Sequence, residues 1–136
     1  MPYLGEFRVV MPRKTWKSLE TSLPPSIYQK DQIVYSQGEP ADRFYYLVSG
    51  QVKIYLSSES GMEKTLTLLE PGQIFGEAAF FDQLPRVSSA KTMSRSQIIP
   101  ITRQNLTFCF SQDPDLAFCL LEYLSRAIRM LSAQVD

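Results

Sequence analysis

The chain has 136 residues, of which 44% are apolar, and its 14 basic and 14 acidic side chains leave no formal net charge. This composition predicts one folded domain over residues 1–136 and argues against charge-driven binding of DNA or an anionic membrane. The longest apolar runs, such as 44–48, fall far short of the ~20 residues of a membrane span, and residues 1–10 lack the apolar block of a signal peptide. We therefore expect a cytoplasmic protein without a membrane partner.

Histidine is absent from the sequence. Its absence excludes Ser-His-Asp hydrolysis, Cys-His proteolysis, histidine-ligated haem and most zinc sites. A jelly-roll enzyme of the cupin type normally holds its metal through histidines, so this alternative is also disfavoured. We expect neither an enzyme nor a metal centre.

The first predicted element is a short amphipathic helix within residues 1–25. Trp16, Leu19 and Leu23 are separated by three and four residues, the spacing of one helix face, and Pro12 precedes them. The pair Pro24-Pro25 is expected to end the helix, because proline lacks a backbone donor and clashes with the preceding turn.

Residues 26–101 have the pattern of a β-roll. Short β-branched or aromatic runs are separated by turn residues that include Gly38, Gly50 and Gly72. Strands this short, with a turn every 8 to 12 residues, are typical of an antiparallel sandwich or jelly roll. The predicted strands are 33–35, 44–48, 52–56, 65–69 and 97–101.

Residues 102–136 are predicted to be helical. Thr102 can cap a short helix that ends at Phe110, and Asp113-Pro114-Asp115 is a strong start for a longer one. A buried, unpaired thiol is the expectation for both Cys109 and Cys119, which are too few for a disulfide framework.

The long helix is apolar over a wide arc. A first stripe has spacings of three and four residues, and a second stripe of Phe118, Leu121 and Ile128 lies beside it. We expect one side to cover the β-roll and the other to meet a second copy in a homodimer; the alternative is a helix that packs only on its own core. The first stripe, assigned to the dimer, is Leu116, Leu120, Leu124, Ala127 and Leu131, with Val135 beyond it.

The segment 75–90, here called the cassette, interrupts the strand pattern. Gly76 allows backbone to approach a ligand, and residues 77–81 can form one helical turn with free amides at its start. These amides, together with the guanidinium of Arg86, form an anion site suited to a phosphate. The carboxylate of Glu77 would repel a phosphate but can accept a hydrogen bond from a neighbouring sugar hydroxyl.

The cassette and the spaced glycines resemble the cyclic-nucleotide-binding domain, and specifically the sensor domain of the CRP/FNR family of bacterial transcription regulators. The resemblance extends from about Ile27 to the C-terminus and implies a mainly β, antiparallel roll flanked by a short N-terminal helix and a long C-terminal dimerisation helix. Its phosphate-binding motif is matched by Gly76-Glu77-Ala78-Ala79-Phe80 followed by Pro85-Arg86-Val87-Ser88.

The resemblance also implies residue roles. Arg86 would pair with the cyclic phosphate, helped by the amides of Ala78 and Val87 and by the hydroxyl of Ser88. Glu77 would hold the ribose 2′-hydroxyl with Gly76 beside it. Thr67 would lend the ligand a hydroxyl from a neighbouring strand.

The base would be read by two consecutive positions on the long helix, which fall at Leu131 and Ser132. The family usually has two hydroxyl residues there, and the leucine departs from that pattern. Cyclic AMP is the expected ligand, with cyclic GMP or another small effector, such as an aromatic acid paired with Arg86, as alternatives.

Regulators of this family continue into a helix-turn-helix DNA-binding domain, which these 136 residues do not contain. We expect the sensor part of a longer regulator, in which ligand binding changes the packing of the helix pair and DNA is bound through the other domain. The alternative is a stand-alone cyclic-nucleotide-binding protein. Arg86 itself is expected to contact the ligand without supporting the fold.

Overall fold

The computed structural model describes residues 9–133. The parts of the predictions that fall before residue 9 or after residue 133, including Val135 of the helical stripe, lie outside the described residues. In chain order the elements are a 3-10 turn Arg13–Trp16, α1 Lys17–Ser22, β1 Ser26–Tyr28, β2 Ile33–Tyr35, β3 Arg43–Ser49, β4 Val52–Ser57, β5 Glu63–Leu69, β6 Ile74–Phe75, α2 Glu77–Asp82, β7 Ser89–Thr92, β8 Ser96–Thr102, α3 Arg103–Gln112 and α4 Asp115–Ala133.

The strands form two antiparallel four-stranded sheets. One has the order β1-β8-β3-β6 and the other β2-β7-β4-β5. The pairing is antiparallel throughout, as in the long register of β3 with β8, from Arg43 opposite Thr102 to Ser49 opposite Gln97. The predicted architecture, a mainly β antiparallel roll with a short N-terminal helix and a long C-terminal helix, is confirmed.

Three strands were missed by the sequence analysis, and all are short. β1, β6 and β7 have two to four residues each. β6 exists because Tyr45 and Tyr46 of β3 pair with Phe75 and Ile74. Such strands depend on a partner strand distant in the chain, so no local period reveals them.

The apolar core has two parts. One lies between the sheets and includes Leu47, Val52 and Ile98. The other lies beneath the helices, where Trp16 and Leu19 of the N-terminal segment meet residues of β3, β8, α3 and α4. The N-terminal and C-terminal helices therefore share one core against the roll.

The starts of the two C-terminal helices have the predicted caps. The Thr102 hydroxyl accepts a hydrogen bond from the Asn105 amide at 3.2 Å, and the Asn105 side chain accepts one from the Thr102 amide at 3.1 Å. Asp113 Oδ1 accepts from the Asp115 amide at the start of α4. The first helix ends at Gln112, two residues later than predicted.

The faces of α4 differ from the predicted assignment at three positions, of which Ala127 is half-buried against the core beneath the helices. Leu116 and Leu120, assigned to the dimer stripe, are 0% and 4% exposed and belong to the core beneath the helices. They are therefore unavailable to a partner. The exposed apolar side of α4 is formed instead by Phe118, Leu121, Ile128 and Leu131. Among residues 9–133, no helix combines the length and apolar character needed to cross a membrane.

Candidate functional site

A cavity of about 180 Å³ lies beside α2, between β5, β6 and α4. All the residues predicted to contact a cyclic phosphate and its ribose line it. Residues that the sequence analysis did not select also contribute, notably Tyr35 and Tyr123. The predicted contact residues in the lining are Thr67, Gly76, Glu77, Ala78, Arg86, Val87 and Ser88.

The backbone turns sharply at both ends of α2. Gly76 precedes the helix with a φ of 74°, and Gln83 follows it with a φ of 61°. A Cβ at position 76 would lie 2.8 Å from Arg86 Nη1 and 3.1 Å from the Tyr35 ring. Glycine is therefore required here both by the backbone conformation and by the close approach of the arginine.

Arg86 is a buried cation that belongs to the fold as well as to the cavity. It is 5% exposed, and its Nη1 and Nη2 each donate at 2.6 Å, to the carbonyl oxygens of Gly76 and Arg43. Its guanidinium carbon lies 4.2 Å from the centre of the Tyr35 ring, a cation–π contact. The expectation that Arg86 does not support the fold is therefore wrong, since its side chain satisfies two distant carbonyl groups.

The Nε atom of Arg86 is buried and forms no hydrogen bond with any atom of residues 9–133. Unpaired buried donors are rare in folded proteins because losing water without gaining a partner costs free energy. The wall of the cavity therefore includes a buried cation, whose charge an anionic ligand would match.

The backbone of the cassette is anchored to the loop before β3. The Arg86 amide donates to the Glu39 carbonyl at 2.8 Å, and the Gly38 amide donates to the Arg86 carbonyl at 2.8 Å. These two bonds fix the chain on both sides of the guanidinium. The turn at Gly38 and Glu39, predicted as a loop, thus positions the arginine.

Glu77 meets the long helix. The Tyr123 hydroxyl donates to Glu77 Oε1 at 2.6 Å. Burial raises the pKa of the Glu77 carboxyl, while the Tyr123 hydrogen bond and the nearby Arg86 act in the opposite direction. Tyr123 was missed by the sequence analysis, although it follows Leu116 and Leu120 with the four- and three-residue spacing of the core side of α4.

The other residues predicted to contact the ligand differ in their exposure. Ser88 is buried and Thr67 is half-buried, so both hydroxyls are placed at the wall. Val87 is 69% exposed. Because its side chain is apolar, only its backbone can offer the ligand a polar contact. Ala78 is exposed at the first turn of α2.

The structure does not bring Leu131 and Ser132 into the lining of this cavity. Both are exposed on α4. They follow Tyr123 by eight and nine residues, roughly 12 Å along a helix that rises about 1.5 Å per residue. Within one chain these two positions cannot contact the same small ligand as Glu77 unless α4 moves.

The described part of the chain contains no group of three acidic or thiol side chains arranged to hold a metal ion. The polar side chains of the cavity lining are instead one buried cation, one carboxylate, the Gln73 amide and several hydroxyls. This set suits a small ligand that carries an anion and a hydroxyl.

Residues 25–113 match the family model described as the cyclic nucleotide-binding domain. The chain belongs to this family. A curated relative, the "CRP-like cAMP-activated global transcriptional regulator" of Mycobacterium tuberculosis, is 35% identical over 112 residues, which are 82% of this chain and 50% of the relative. The "Cyclic AMP receptor protein" of Thermus thermophilus is 27% identical over 110 residues, 81% of this chain and 51% of the relative.

Two solved structures are similar in fold. The sensor domain of the transcriptional regulator DNR from Pseudomonas aeruginosa is similar with a TM-score of 0.68 and 30% identity, over 98% of this chain and 87% of that one. The Thermus thermophilus catabolite activator protein gives a TM-score of 0.77 and 25% identity, over 97% and 62%. The predicted resemblance to the CRP/FNR group is thus confirmed.

The chain spans about half the length of the first curated relatives that it matches. The name of the Mycobacterium tuberculosis relative describes a transcription regulator. The family assignment therefore concerns the cyclic nucleotide-binding domain.

Proposed function

We propose that this chain is the effector-sensing domain of a CRP/FNR-type transcription regulator and that its cavity binds a cyclic nucleotide, cyclic AMP in particular. The observation that carries the proposal is the buried guanidinium of Arg86 in the cavity, with its Nε left without a partner among residues 9–133. A cyclic phosphate supplies both the negative charge and the acceptor oxygens that this group requires.

The carboxylate that lines the cavity suits the binding of a sugar. Glu77 presents a carboxylate that accepts a hydrogen bond from Tyr123, and it can accept one from a ribose hydroxyl in the same way. The hydroxyls of Thr67 and Ser88 add polar contacts nearby. Arg86 and Glu77 would then bind the phosphate and the ribose of one ligand.

We further propose a homodimer through α4. Leu121, Leu124, Ile128 and Leu131 follow one another at spacings of three, four and three residues, the pattern of a coiled-coil seam. Leu121 and Ile128 are 57% and 64% exposed in the single chain. In such a pair, Leu131 and Ser132 of one copy would approach the base of the ligand held by its partner.

The mechanism would be a shift in the packing of the helix pair. A ligand that contacts both the cassette and α4 favours the arrangement in which those contacts form, by no more than its difference in affinity for the two arrangements. The other half of a regulator as long as the curated relatives would carry the DNA-binding domain that senses this change.

A second candidate function is the sensing of a smaller effector, such as an aromatic acid. The cavity of about 180 Å³ favours it, because ligand pockets are usually about 300–1,000 Å³. A carboxylate could pair with Arg86 while an aromatic ring contacted Tyr35 and Phe75. The domain would keep the same fold and helix pair.

Isothermal titration calorimetry separates the two candidates. We expect heat of binding with cyclic AMP, a weaker response with cyclic GMP and none with a panel of benzoic and phenylacetic acids. No detectable heat with either nucleotide at millimolar concentration would reject the leading proposal. Binding of an aromatic acid together with that result would establish the second candidate.

A further inference from the structure

The long helix contacts the cavity through Tyr123. Its hydroxyl donates to Glu77 Oε1, and its ring packs edge-on against Trp16 with ring centres 5.9 Å apart. Trp16 is 1% exposed and fixed in the core beneath the helices. Tyr123 therefore stands between the core and the cavity, and its polar end reaches into the cavity.

Tyr123 lies where the burial of α4 decreases. The residues of α4 that are fully buried, Leu116 and Leu120, lie in its first two turns. From Tyr123 to residue 133 only partly buried side chains, such as Ala127 and Met130, remain packed against the same core. The helix is thus anchored most firmly at its start, and the part from Tyr123 onward is held less tightly against the roll.

The cavity is small for a nucleotide. Its volume of about 180 Å³ is below the range of about 300–1,000 Å³ that is usual for small-molecule sites. The roll supplies walls tied by strand pairing, whereas Tyr123 supplies a wall from the less anchored part of α4. Widening is easiest on the side of Tyr123, and it separates the tyrosine hydroxyl from Glu77.

Glu77 needs a donor in either arrangement. Its carboxylate is taken out of water by the surrounding cassette, and a buried carboxylate without a hydrogen-bond partner carries a large penalty. A ligand hydroxyl can replace the Tyr123 hydroxyl with the same chemistry, one O–H donor for another. A ligand that lacks this hydroxyl would displace Tyr123 and leave the carboxylate with one hydrogen bond fewer.

We propose that Tyr123 is a specificity-determining residue whose hydroxyl exchanges with a ligand hydroxyl on the Glu77 carboxylate, so that only a hydroxyl-bearing ligand can release α4 from the cassette. The inference rests on the proposed function, since it assumes that a ribose phosphate enters this cavity. It adds the means by which occupation of the cavity is transmitted to the long helix.

The test compares the affinity for cyclic AMP of the wild-type chain and of Tyr123→Phe. Phenylalanine keeps the ring against Trp16 and removes the hydroxyl that the ligand has to displace. We expect Tyr123→Phe to bind cyclic AMP about threefold to tenfold more tightly, because a hydrogen bond to a charged group no longer has to be broken. The 2′-deoxy analogue should bind the wild-type chain at least tenfold more weakly than cyclic AMP.

Trp16 provides a second readout, since it is the single tryptophan of the chain. Saturation with cyclic AMP should change the fluorescence of Trp16 in the wild-type chain as the Tyr123 ring leaves it. Tyr28→Phe is the matched control: it removes a tyrosine hydroxyl from β1, outside the cavity lining, and should leave affinity unchanged.

The outcomes are distinguishable. Unchanged or weaker binding of cyclic AMP by Tyr123→Phe, with normal wild-type binding, would overturn the exchange and leave the proposed function intact. A Trp16 emission that does not respond to saturating ligand would also overturn it. Failure of the wild-type chain to bind any cyclic nucleotide would overturn both proposals.

Discussion

The guanidinium carbon of Arg86 lies 4.2 Å from the centre of the Tyr35 ring, and the phenol of Tyr35 is itself buried at the cavity wall. This contact adds to the two hydrogen bonds that the Nη atoms donate to backbone carbonyls. The group predicted to bind phosphate is therefore already positioned by the fold. Its removal should affect both ligand binding and stability.

We expect Arg86→Ala to reduce affinity for cyclic AMP at least tenfold and to lower the free energy of unfolding by about 1–3 kcal/mol, because two buried carbonyls lose their donors. Arg86→Lys should retain part of the stability but not the affinity, since an ammonium cannot reproduce the planar fork. Urea unfolding and calorimetry measure the two effects.

Arg95→Lys is the matched control for the arginine change, since Arg95 is exposed and lies outside the cavity lining. Arg95→Lys should alter neither the affinity for cyclic AMP nor the free energy of unfolding. An Arg86→Ala chain that keeps its affinity within about threefold, roughly 0.7 kcal/mol, would refute the assignment of Arg86 to the phosphate.

Gly76→Ala is expected to be more damaging to stability than Gly61→Ala. Both Gly76 and Gly61 have positive φ, but only at position 76 would the new Cβ meet a neighbour, 2.8 Å from Arg86 Nη1. Gly61→Ala should cost about 1–2 kcal/mol from backbone conformation alone. Gly76→Ala should cost more and weaken ligand binding. Thermal unfolding of both variants checks this, and equal costs would show that the close approach is not needed.

Glu77→Gln should raise stability at neutral pH. Burial raises the pKa of Glu77 in the folded chain, so the folded state favours the protonated carboxyl. The stability that the protonated carboxyl contributes is lost as the pH rises through the folded pKa. The gain of Glu77→Gln over wild type should be present at pH 7 and vanish below the ordinary pKa of glutamate, about 4.3. Unfolding midpoints across this pH range measure it.

The pH dependence of stability should have the opposite sign at Glu63. The hydrogen bond from Lys53 lowers the pKa of this exposed carboxyl, and its ion pairs with Lys53 and Lys91 favour the charged form. Glu63→Gln should therefore lower stability at pH 7 and make no difference at acidic pH. A parallel pH dependence for the two variants would contradict the buried environment assigned to Glu77.

Leu121→Glu and Ile128→Glu should each convert the proposed dimer into a monomer at micromolar concentration, because a charge would be buried in the apolar seam. Met62→Glu is a suitable control, since Met62 is 74% exposed in the turn between β4 and β5. Analytical ultracentrifugation measures the mass. Dimers that persist in both α4 variants would reject this surface as the interface.

Much of the fold could be predicted because its signals are local. β3 and β4 each contain a run of aromatic or β-branched residues bounded by turn residues, and Asp113 caps α4 from within three residues of its start. The cassette is also local, since Gly76 and Arg86 are only ten residues apart. Their proximity in the cavity followed from that short spacing.

The sequence by itself determined the strand and helix signals and the chemistry of the cassette, a cation and a carboxylate within one short segment. The tertiary structure decided which stripe of α4 enters the core, and it brought Tyr123 to Glu77 and the Arg43 carbonyl to Arg86, across 46 and 43 residues of chain. The physical reason is that such contacts depend on how separate elements pack. A local period records which faces are apolar, but not which neighbour each face will meet.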